Sequence, residues 1–383
     1  MNDHQTFDRG MRNVSGCGLS GMMSLTGQRV DGRGIRESIA LLHDRANGLG
    51  GGFAAYGIYP EFADHYALHI MYYSNVAKDV AERALEGSFD VAREGRIPTR
   101  LVPGVPDPPL LWRYFVTPKA HAVAHSQAGS QDDFVLREVM RVNADIADAY
   151  VFSSGKNMGA FKGVGHAEDI ADFYRLEDYA AYIWVAHGRF PTNTPGWWAG
   201  AHPFTLLDWS VVHNGEISSY GINKRYLEMF GYRCTMRTDT EVMAYLLDLL
   251  VRRHRLPVEV ACKVISAPFW KTIERMPPAQ RDLYRTLRQV YASALVNGPF
   301  AIIFAHRDGM VGVNDRIKLR PMVAARKDDF LYIASEEAAV RAMCAHPDVV
   351  WSPRAGEPVI GRLRQGAVVG APGSEAREEA AHA

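Results

Sequence analysis

Ala186-His187-Gly188-Arg189-Phe190-Pro191-Thr192-Asn193-Thr194-Pro195 is the most informative stretch of the sequence. An apolar run over 181–186 predicts a β-strand, and this strand continues directly into a loop that carries Arg189 and Thr192. The prolines restrict the backbone of the loop. Taken alone, the segment is most typical of a rigid surface turn. However, the planar guanidinium group of an arginine can bind a carboxylate. Two tryptophans and a histidine follow closely, and together these residues favour a binding loop.

A second strand pattern ends at an Asn-Gly pair, in Val211-Val212-His213-Asn214-Gly215-Glu216-Ile217. Asn-Gly after a strand is a common hairpin signal, and this is the simplest interpretation of the motif. In the functional interpretation, the side-chain amide of Asn214 and the backbone N–H of Gly215 point to one place. Two such donors are what an oxyanion hole needs.

A capping motif follows in Arg237-Thr238-Asp239-Thr240-Glu241-Val242. Thr238 and Glu241 have the spacing of a capping box, which predicts the start of a helix over 240–254. A capped helix start also holds its residues rigidly, so Asp239 is a candidate to bind an ammonium group of a ligand.

The fourth candidate is a cysteine near the N-terminus, in the run Cys17-Gly18-Leu19-Ser20-Gly21-Met22. Small and apolar residues here predict a short strand. A free cysteine is usually a small buried hydrophobic residue, so Cys17 taken alone predicts packing rather than chemistry.

Strand and helix patterns follow one another without regular βαβ order, which predicts an α+β layered fold rather than a doubly wound sheet. Predicted strands cover 53–59, 66–73, 181–186, 209–213, 299–306, 321–325 and 330–334, and predicted helices cover 34–46, 75–86, 132–150, 220–230, 240–254 and 281–294. We expect a polar leader over 1–16, one domain over 17–365 with an elaboration over 110–178, and a disordered tail over 366–383.

Composition removes several classes of function. The 43 Lys and Arg balance 43 Asp and Glu, whereas a nucleic-acid binder usually has a basic surplus. The sequence has no apolar run of about 18 residues that would span a membrane, and its N-terminus lacks a secretion signal. Its four cysteines lie far apart and suit neither a zinc site nor a disulfide framework. We expect a cytoplasmic protein with no metal and with neither nucleic acid nor a membrane as partner.

Together the motifs resemble the class II glutamine amidotransferases, and most closely the glutaminase domain of the glutamate synthase large subunit. The similarity is carried by Cys17-Gly18, His187-Gly188-Arg189-Phe190-Pro191-Thr192-Asn193-Thr194, Ala201-His202-Pro203-Phe204, His213-Asn214-Gly215-Glu216-Ile217, Thr238-Asp239-Thr240-Glu241-Val242 and Asn314-Asp315-Arg316-Ile317-Lys318-Leu319-Arg320-Pro321. These blocks are spread over about 17–340, and their order and spacing make a chance match improbable.

The resemblance implies an N-terminal-nucleophile hydrolase fold, a four-layer αββα sandwich with two antiparallel sheets. It implies that Cys17 is the catalytic nucleophile and that Asn214 and Gly215 form the oxyanion hole. Substrate-binding residues would be Arg189 for the α-carboxylate of glutamine, Asp239 for its ammonium group, and Thr192 in the same loop.

Two departures qualify these expectations. Sixteen residues precede Cys17, so its amino group is free only after the Gly16–Cys17 bond is cut. The chain also carries no cofactor motif, which implies that FMN and iron–sulfur clusters belong to a partner, an ammonia-accepting flavoprotein of glutamate synthase type. The glutaminase subunit of N-methylglutamate synthase, a hydrolase of another amide and a non-catalytic glutamine-binding subunit remain alternatives.

Overall fold

The structure is a computed structural model and describes residues 16–190 and 196–365. Most of the predicted leader, the predicted substrate residue Thr192 and the predicted tail 366–383 lie outside the described residues. All four cysteines lie inside them and carry free thiols. No helix in the described ranges is long and apolar enough to cross a membrane.

The described residues form eighteen strands and eleven α-helices. The strands are β1 (Gly18–Ser24), β2 (Val30–Asp31), β3 (Gly51–Tyr56), β4 (Tyr66–Tyr72), β5 (Phe89–Arg96), β6 (Leu110–Pro118), β7 (Ala149–Ser153), β8 (Met158–Gly163), β9 (Ala180–Ala181), β10 (Ile183–Gly188), β11 (Phe204–Leu206), β12 (Trp209–Gly215), β13 (Phe300–His306), β14 (Gly309–Asn314), β15 (Val323–Lys327), β16 (Phe330–Ala334), β17 (Val349–Trp351) and β18 (Val359–Arg362). The helices are α1 (Arg33–Ala40), α2 (Asn75–Ser88), α3 (Ala120–Ser126), α4 (Gln131–Asp145), α5 (Ala167–Phe173), α6 (Tyr220–Glu228), α7 (Asp239–Leu247), α8 (Val258–Ile265), α9 (Trp270–Glu274), α10 (Pro278–Val290) and α11 (Glu337–Met343).

Two antiparallel sheets face each other in the centre of the protein. Within the described ranges, the large sheet has the strand order β17-β15-β16-β1-β10-β3-β8, and the second sheet has the order β11-β12-β13-β14-β18. All of β1 and all of β10 are buried, because the large sheet is covered on both faces. Leu19, Val185, Val212 and Ile303 belong to the core between the two sheets.

Helices cover the outer faces of both sheets. On the large sheet, α1 and α11 bury Ile35, Ile39 and Val340 against a core that includes Trp184. On the second sheet, α6 and α7 contribute to a separate core, which contains Val242. The layers therefore run helix, sheet, sheet, helix, and the prediction of an α+β four-layer sandwich is confirmed.

The segment 110–178 is divided between two sheets. Its strands β6 and β7 pair with β4 in a side sheet of order β5-β6-β4-β7, against which α2 and α4 pack, whereas its strand β8 forms an edge of the large sheet. The helix predicted over 132–150 is wrong at its C-terminal end. The helix stops at Asp145, Asp148 takes a left-handed conformation with φ of 63°, and Tyr150 lies in β7.

Two other predicted helices change character before they end. The helix predicted over 34–46 is α-helical only to Ala40 and continues as a short 3₁₀ turn over His43–Arg45. The helix predicted over 240–254 becomes π-helical over Asp248–Arg253. In both cases the apolar spacing continues along the chain, but the α-helical hydrogen-bonding pattern does not. The spacing of apolar residues alone does not distinguish an α-helix from a 3₁₀ or π-helix.

Candidate active site

Three strand ends meet at one edge of the sandwich. In the antiparallel pair of β1 and β10, Gly18 lies opposite Gly188, so the residue before one strand and the residue after the other, Cys17 and Arg189, are neighbours. The C-terminal end of β12, which carries Asn214, faces the same edge: an added Cβ on Gly16 would lie 3.8 Å from Asn214 Oδ1.

The thiol of Cys17 contacts the start of the Arg189 loop. The backbone N–H of Phe190 donates a hydrogen bond to Cys17 Sγ at 3.4 Å. Burial raises the pKa of Cys17, and this outweighs the opposite effects of the Phe190 N–H and of the guanidinium groups of Arg189 and Arg320. The thiol is therefore protonated at neutral pH, and a reaction that uses the thiolate needs a base that removes this proton.

Arg189 is only 8% exposed and lies against a glycine-rich turn. A Cβ on Gly50 would lie 3.1 Å from Arg189 Cδ, so a larger side chain there would crowd the arginine. Its guanidinium donates to Leu49 O at 3.5 Å. Burial lowers the pKa of Arg189, whereas Cys17 and Asp239 raise it. An arginine remains charged at any physiological pH, so this edge holds a fixed positive charge beside the thiol.

Asn214 is almost completely buried. Among the described residues, its Nδ2 has no hydrogen-bond partner. A buried amide without a partner is costly, and such groups call for an explanation. One explanation is that the Asn214 amide is a hydrogen-bond donor reserved for a substrate oxygen.

Gly215 occupies a position that a side chain cannot share. Its φ is +151°, and an added Cβ would lie 1.9 Å from Pro299 O. The Asn-Gly hairpin considered for this motif is not formed. The chain continues from Gly215 into α6, and β12 pairs with β11 and β13 instead.

Asp239 is fixed by several donors at the start of α7. Its Oδ2 accepts from the backbone N–H of Ile217 at 3.0 Å, and its Oδ1 accepts from Thr240 Oγ1 at 3.2 Å and lies 3.4 Å from His213 Nδ1. Burial alone would raise the pKa of Asp239, but His213 and these hydrogen bonds outweigh it and lower the pKa. Asp239 therefore carries a negative charge at neutral pH.

The predicted capping box is only half formed. Thr238 caps α7 by accepting from Thr240 N at 3.4 Å. The Glu241 carboxylate does not accept a hydrogen bond from the backbone N–H of Thr238. It accepts from the backbone N–H groups of Thr235 and Met236 instead. The preceding loop folds back over the helix start and takes the acceptor that the box would use.

A cluster of three buried histidines lies behind these residues. The rings of His187 and His202 stack with centroids 4.0 Å apart, and His202 Nε2 is 2.8 Å from Thr240 Oγ1. His187 Nε2 is 2.9 Å from His213 O. Burial lowers the pKa of His187 to about 3, so that ring is neutral. The 201–204 motif predicted no role for His202, whose contacts join the Arg189 strand to the Asp239 helix.

Lys162, on β8, is a second support that sequence reasoning missed. It is 1% exposed and donates to the carbonyl oxygens of Ala199, Ala201 and Pro203 at 2.9, 3.0 and 3.3 Å. Burial lowers its pKa to about 7. Lys162 thus clamps the chain that follows the Arg189 loop. No sequence signal marked it, because no motif and no predicted element covered the residues of β8.

Two arginines near Cys17 were also not predicted as site residues. Arg45 Nε donates to Cys17 O at 3.4 Å, and Arg320 lies close to Gly16. Arg320 belongs to the block 314–321 that carries part of the resemblance, so a signal existed for it. Arg45 reaches the site only because the 3₁₀ turn after α1 packs there, which no local pattern reveals.

The four-layer sandwich is the fold of the N-terminal-nucleophile hydrolases. A family model described as "Glutamine amidotransferases class-II" matches residues 106–229. The matched residues identify a class II glutamine amidotransferase domain in this chain.

Individual relatives differ in how much of their length is matched. A protein of Archaeoglobus fulgidus described as "Uncharacterized protein" is 51% identical over 91% of this chain and 92% of its own length. The amidophosphoribosyltransferase of Methanocaldococcus jannaschii is 24% identical over 50% of this chain and 36% of its own length. The glutamate synthase [NADPH] large chain of Bacillus subtilis is 28% identical over 50% of this chain and 14% of its own length. The chain thus spans well under half of these two enzymes.

Proposed function

We propose that this chain is a glutaminase in which Cys17, freed as the first residue, attacks the side-chain amide of glutamine. The observation that carries the proposal is the convergence, at one edge of the sandwich, of a half-buried thiol, a fixed positive charge and an amide donor that has no partner among the described residues. Arg189 would bind the α-carboxylate, and Asp239 would bind the α-ammonium group. Thr192 is proposed as a further contact in the Arg189 loop.

The proton balance of the first step follows from the state of Cys17. A free α-amino group has a pKa of about 7.7–8.0, so a useful fraction is neutral at cell pH and takes the thiol proton. Sγ then bonds to the amide carbon, and the negative charge moves to the amide oxygen. Asn214 Nδ2 and the Gly215 N–H would stabilise that charge.

The second half of the reaction releases both products. The C–N bond breaks, and the leaving nitrogen takes the proton from the α-ammonium group to depart as ammonia. Water then attacks the thioester, which gives glutamate and restores the thiol. Removal of the residues before Cys17 is part of the proposal, because an amide nitrogen at Cys17 cannot act as this base.

Release of ammonia and glutamate from glutamine tests the proposal directly. We expect the processed chain to produce both in equal amounts and Cys17→Ala to produce neither. Cys344→Ala is the matched control, because Cys344 is a half-buried free thiol at the end of α11, and it should keep full activity. Hydrolysis of other amides but not of glutamine, even with partner proteins present, would contradict the assignment.

We further propose that a partner subunit, a flavoprotein synthase that carries FMN and iron–sulfur clusters, accepts the ammonia. The similarity to the glutamate synthase large chain supports this proposal, and an N-methylglutamate synthase complex is the alternative. Co-purification from the native cell tests it. A bound flavoprotein supports the proposal, and a native complex that contains no flavoprotein contradicts it.

A further inference from the structure

His43, His166 and Glu168 form a cluster that the proposed reaction does not use. His43 lies in the 3₁₀ turn after α1, His166 immediately precedes α5, and Glu168 lies in the first turn of α5. One ligand atom from each of the three side chains lies within 4.8 Å of the other two. The two imidazole rings already stack with centroids 4.0 Å apart.

Two imidazoles and one carboxylate are a donor set that zinc uses in sites with an open fourth position. Zinc–ligand bonds of about 2.0–2.2 Å place tetrahedral donors roughly 3.3–3.6 Å apart. Closing the cluster onto one ion therefore needs side-chain shifts of about an ångström. The His43 side chain is 52% exposed, so it has room to make this adjustment, and a water molecule can take the fourth position.

A second observation separates this cluster from a simple ion pair. His43 Nδ1 and Glu168 Oε1 are 2.5 Å apart and satisfy each other. Among the described residues, however, the buried Nδ1 of His166 has no hydrogen-bond partner. A hydrogen-bonded pair of His43 and Glu168 does not need His166, whereas a metal site requires a third ligand at this place.

We propose that His43, His166 and Glu168 bind one divalent transition-metal ion of the zinc class. The ion joins the turn after α1 to the start of α5. The same turn carries Arg45, which contacts the carbonyl oxygen of Cys17 at 3.4 Å and Glu336 at 2.7 Å. In this position the ion would stiffen the support of Cys17 without entering the proposed reaction. The proposal differs from the expectation of no metal, which rested on cysteine spacing alone.

Calorimetric titration of the full chain with Zn²⁺ tests the site, with Co²⁺ absorption as a second readout of coordination. The titration uses the Cys17→Ser background, so that metal capture by that thiol does not contribute. We expect one equivalent bound and a higher Tm in the presence of Zn²⁺. His43→Ala and His166→Ala should each weaken binding by more than the roughly 10–100-fold that loss of an outer-shell partner costs.

The control concerns His121 and His125, which are four residues apart on the exposed face of α3. This spacing alone can hold a metal weakly, so the double variant His121→Ala/His125→Ala should leave the stoichiometric site intact. His43→Ala changes an exposed side chain, and its folding is checked by its Tm in the absence of metal. Absence of stoichiometric binding, or binding that survives His43→Ala and disappears in the α3 double variant, would overturn the proposal.

Discussion

Asn214 is the residue whose environment is hardest to explain without a substrate. Its buried amide nitrogen has no partner in the described part of the chain. We expect Asn214→Asp, which keeps the shape but replaces the donor, to lower kcat by about 10²–10³, as loss of an oxyanion-hole donor does. KM should change little. Steady-state kinetics check this, and a large rise in KM at unchanged kcat would instead make Asn214 a ground-state binding residue.

Arg189 tests the binding half of the site. Arg189→Lys keeps the charge but loses the planar fork that matches a carboxylate. Hydrogen bonds to charged groups contribute about 1.5–3 kcal/mol, so kcat/KM for glutamine should fall roughly 10–150-fold. The matched control is Arg307→Lys, whose side chain is 60% exposed and should have no effect. Equal kinetics of Arg189→Lys and the wild-type chain would remove Arg189 from substrate binding.

At the scale of elements, the junction of β12 and α6 depends on one glycine. A side chain at Gly215 would meet Pro299 O and would hold a φ of +151°. Such a backbone conformation costs a residue other than glycine about 1–3 kcal/mol, and the clash adds to this. We expect Gly215→Ala to lower both the free energy of unfolding and the activity, measured by urea denaturation and by glutamine hydrolysis.

The control for this element is Gly87 on α2, where an added Cβ meets nothing within 4 Å. Alanine favours a helix over glycine by about 1 kcal/mol, so Gly87→Ala should be neutral or stabilising. A Gly215→Ala variant as stable and active as Gly87→Ala would contradict the assigned role of the junction.

Lys162 on β8, which donates hydrogen bonds to the chain over 199–203, should make the free energy of unfolding depend on pH. The pKa of Lys162 is about 7 when folded and near its ordinary value of about 10.4 when unfolded. Between these values the unfolded chain binds more protons, so the free energy of unfolding rises with pH, by at most about 1.4 kcal/mol per unit from this group.

Lys162→Met should therefore lose this rise. Urea unfolding from about pH 7.5 to about pH 9.5 should show a flatter pH dependence for Lys162→Met than for the wild-type chain. Lys271→Met, at an exposed position on α9, should keep the wild-type slope. Parallel slopes for Lys162→Met and the wild-type chain would show that Lys162 does not titrate in this range.

The sequence was most informative where a pattern is local. The strand predicted over 330–334 is β16 to the residue, and Ile35 and Ile39 are buried as their helical spacing indicates. The prediction failed where a competing local choice decided the outcome. α4 ends at Asp145, because Ile146 is already extended, and after the left-handed residue Asp148 the chain enters β7, which contains Tyr150, although the apolar spacing continues.

The residues that hold the site residues in place were not predicted, for a different reason. His202 and Lys162 act through partners on other elements, and a single sequence does not report which strands will be neighbours. Asn214 and Asp239 could be singled out because each lies in a compact motif. Such motifs identify residues that touch a ligand more readily than residues that hold those residues in place.

At the scale of the whole molecule, we propose that the chain is active only when Cys17 is its first residue. The strand that follows Cys17 is buried between the helix layer and the second sheet, so the sandwich holds the thiol rigidly at its edge. In the proposed function, the ammonia released there passes to a partner subunit.

Intact mass and peptide mapping of the native protein, after reaction with a glutamine-like alkylating agent, test this claim most directly. We expect a chain that begins at Cys17 and carries one label on Cys17, with glutamine protecting it. A chain that begins at Met1 in every active preparation, or a label on another residue, would contradict the account.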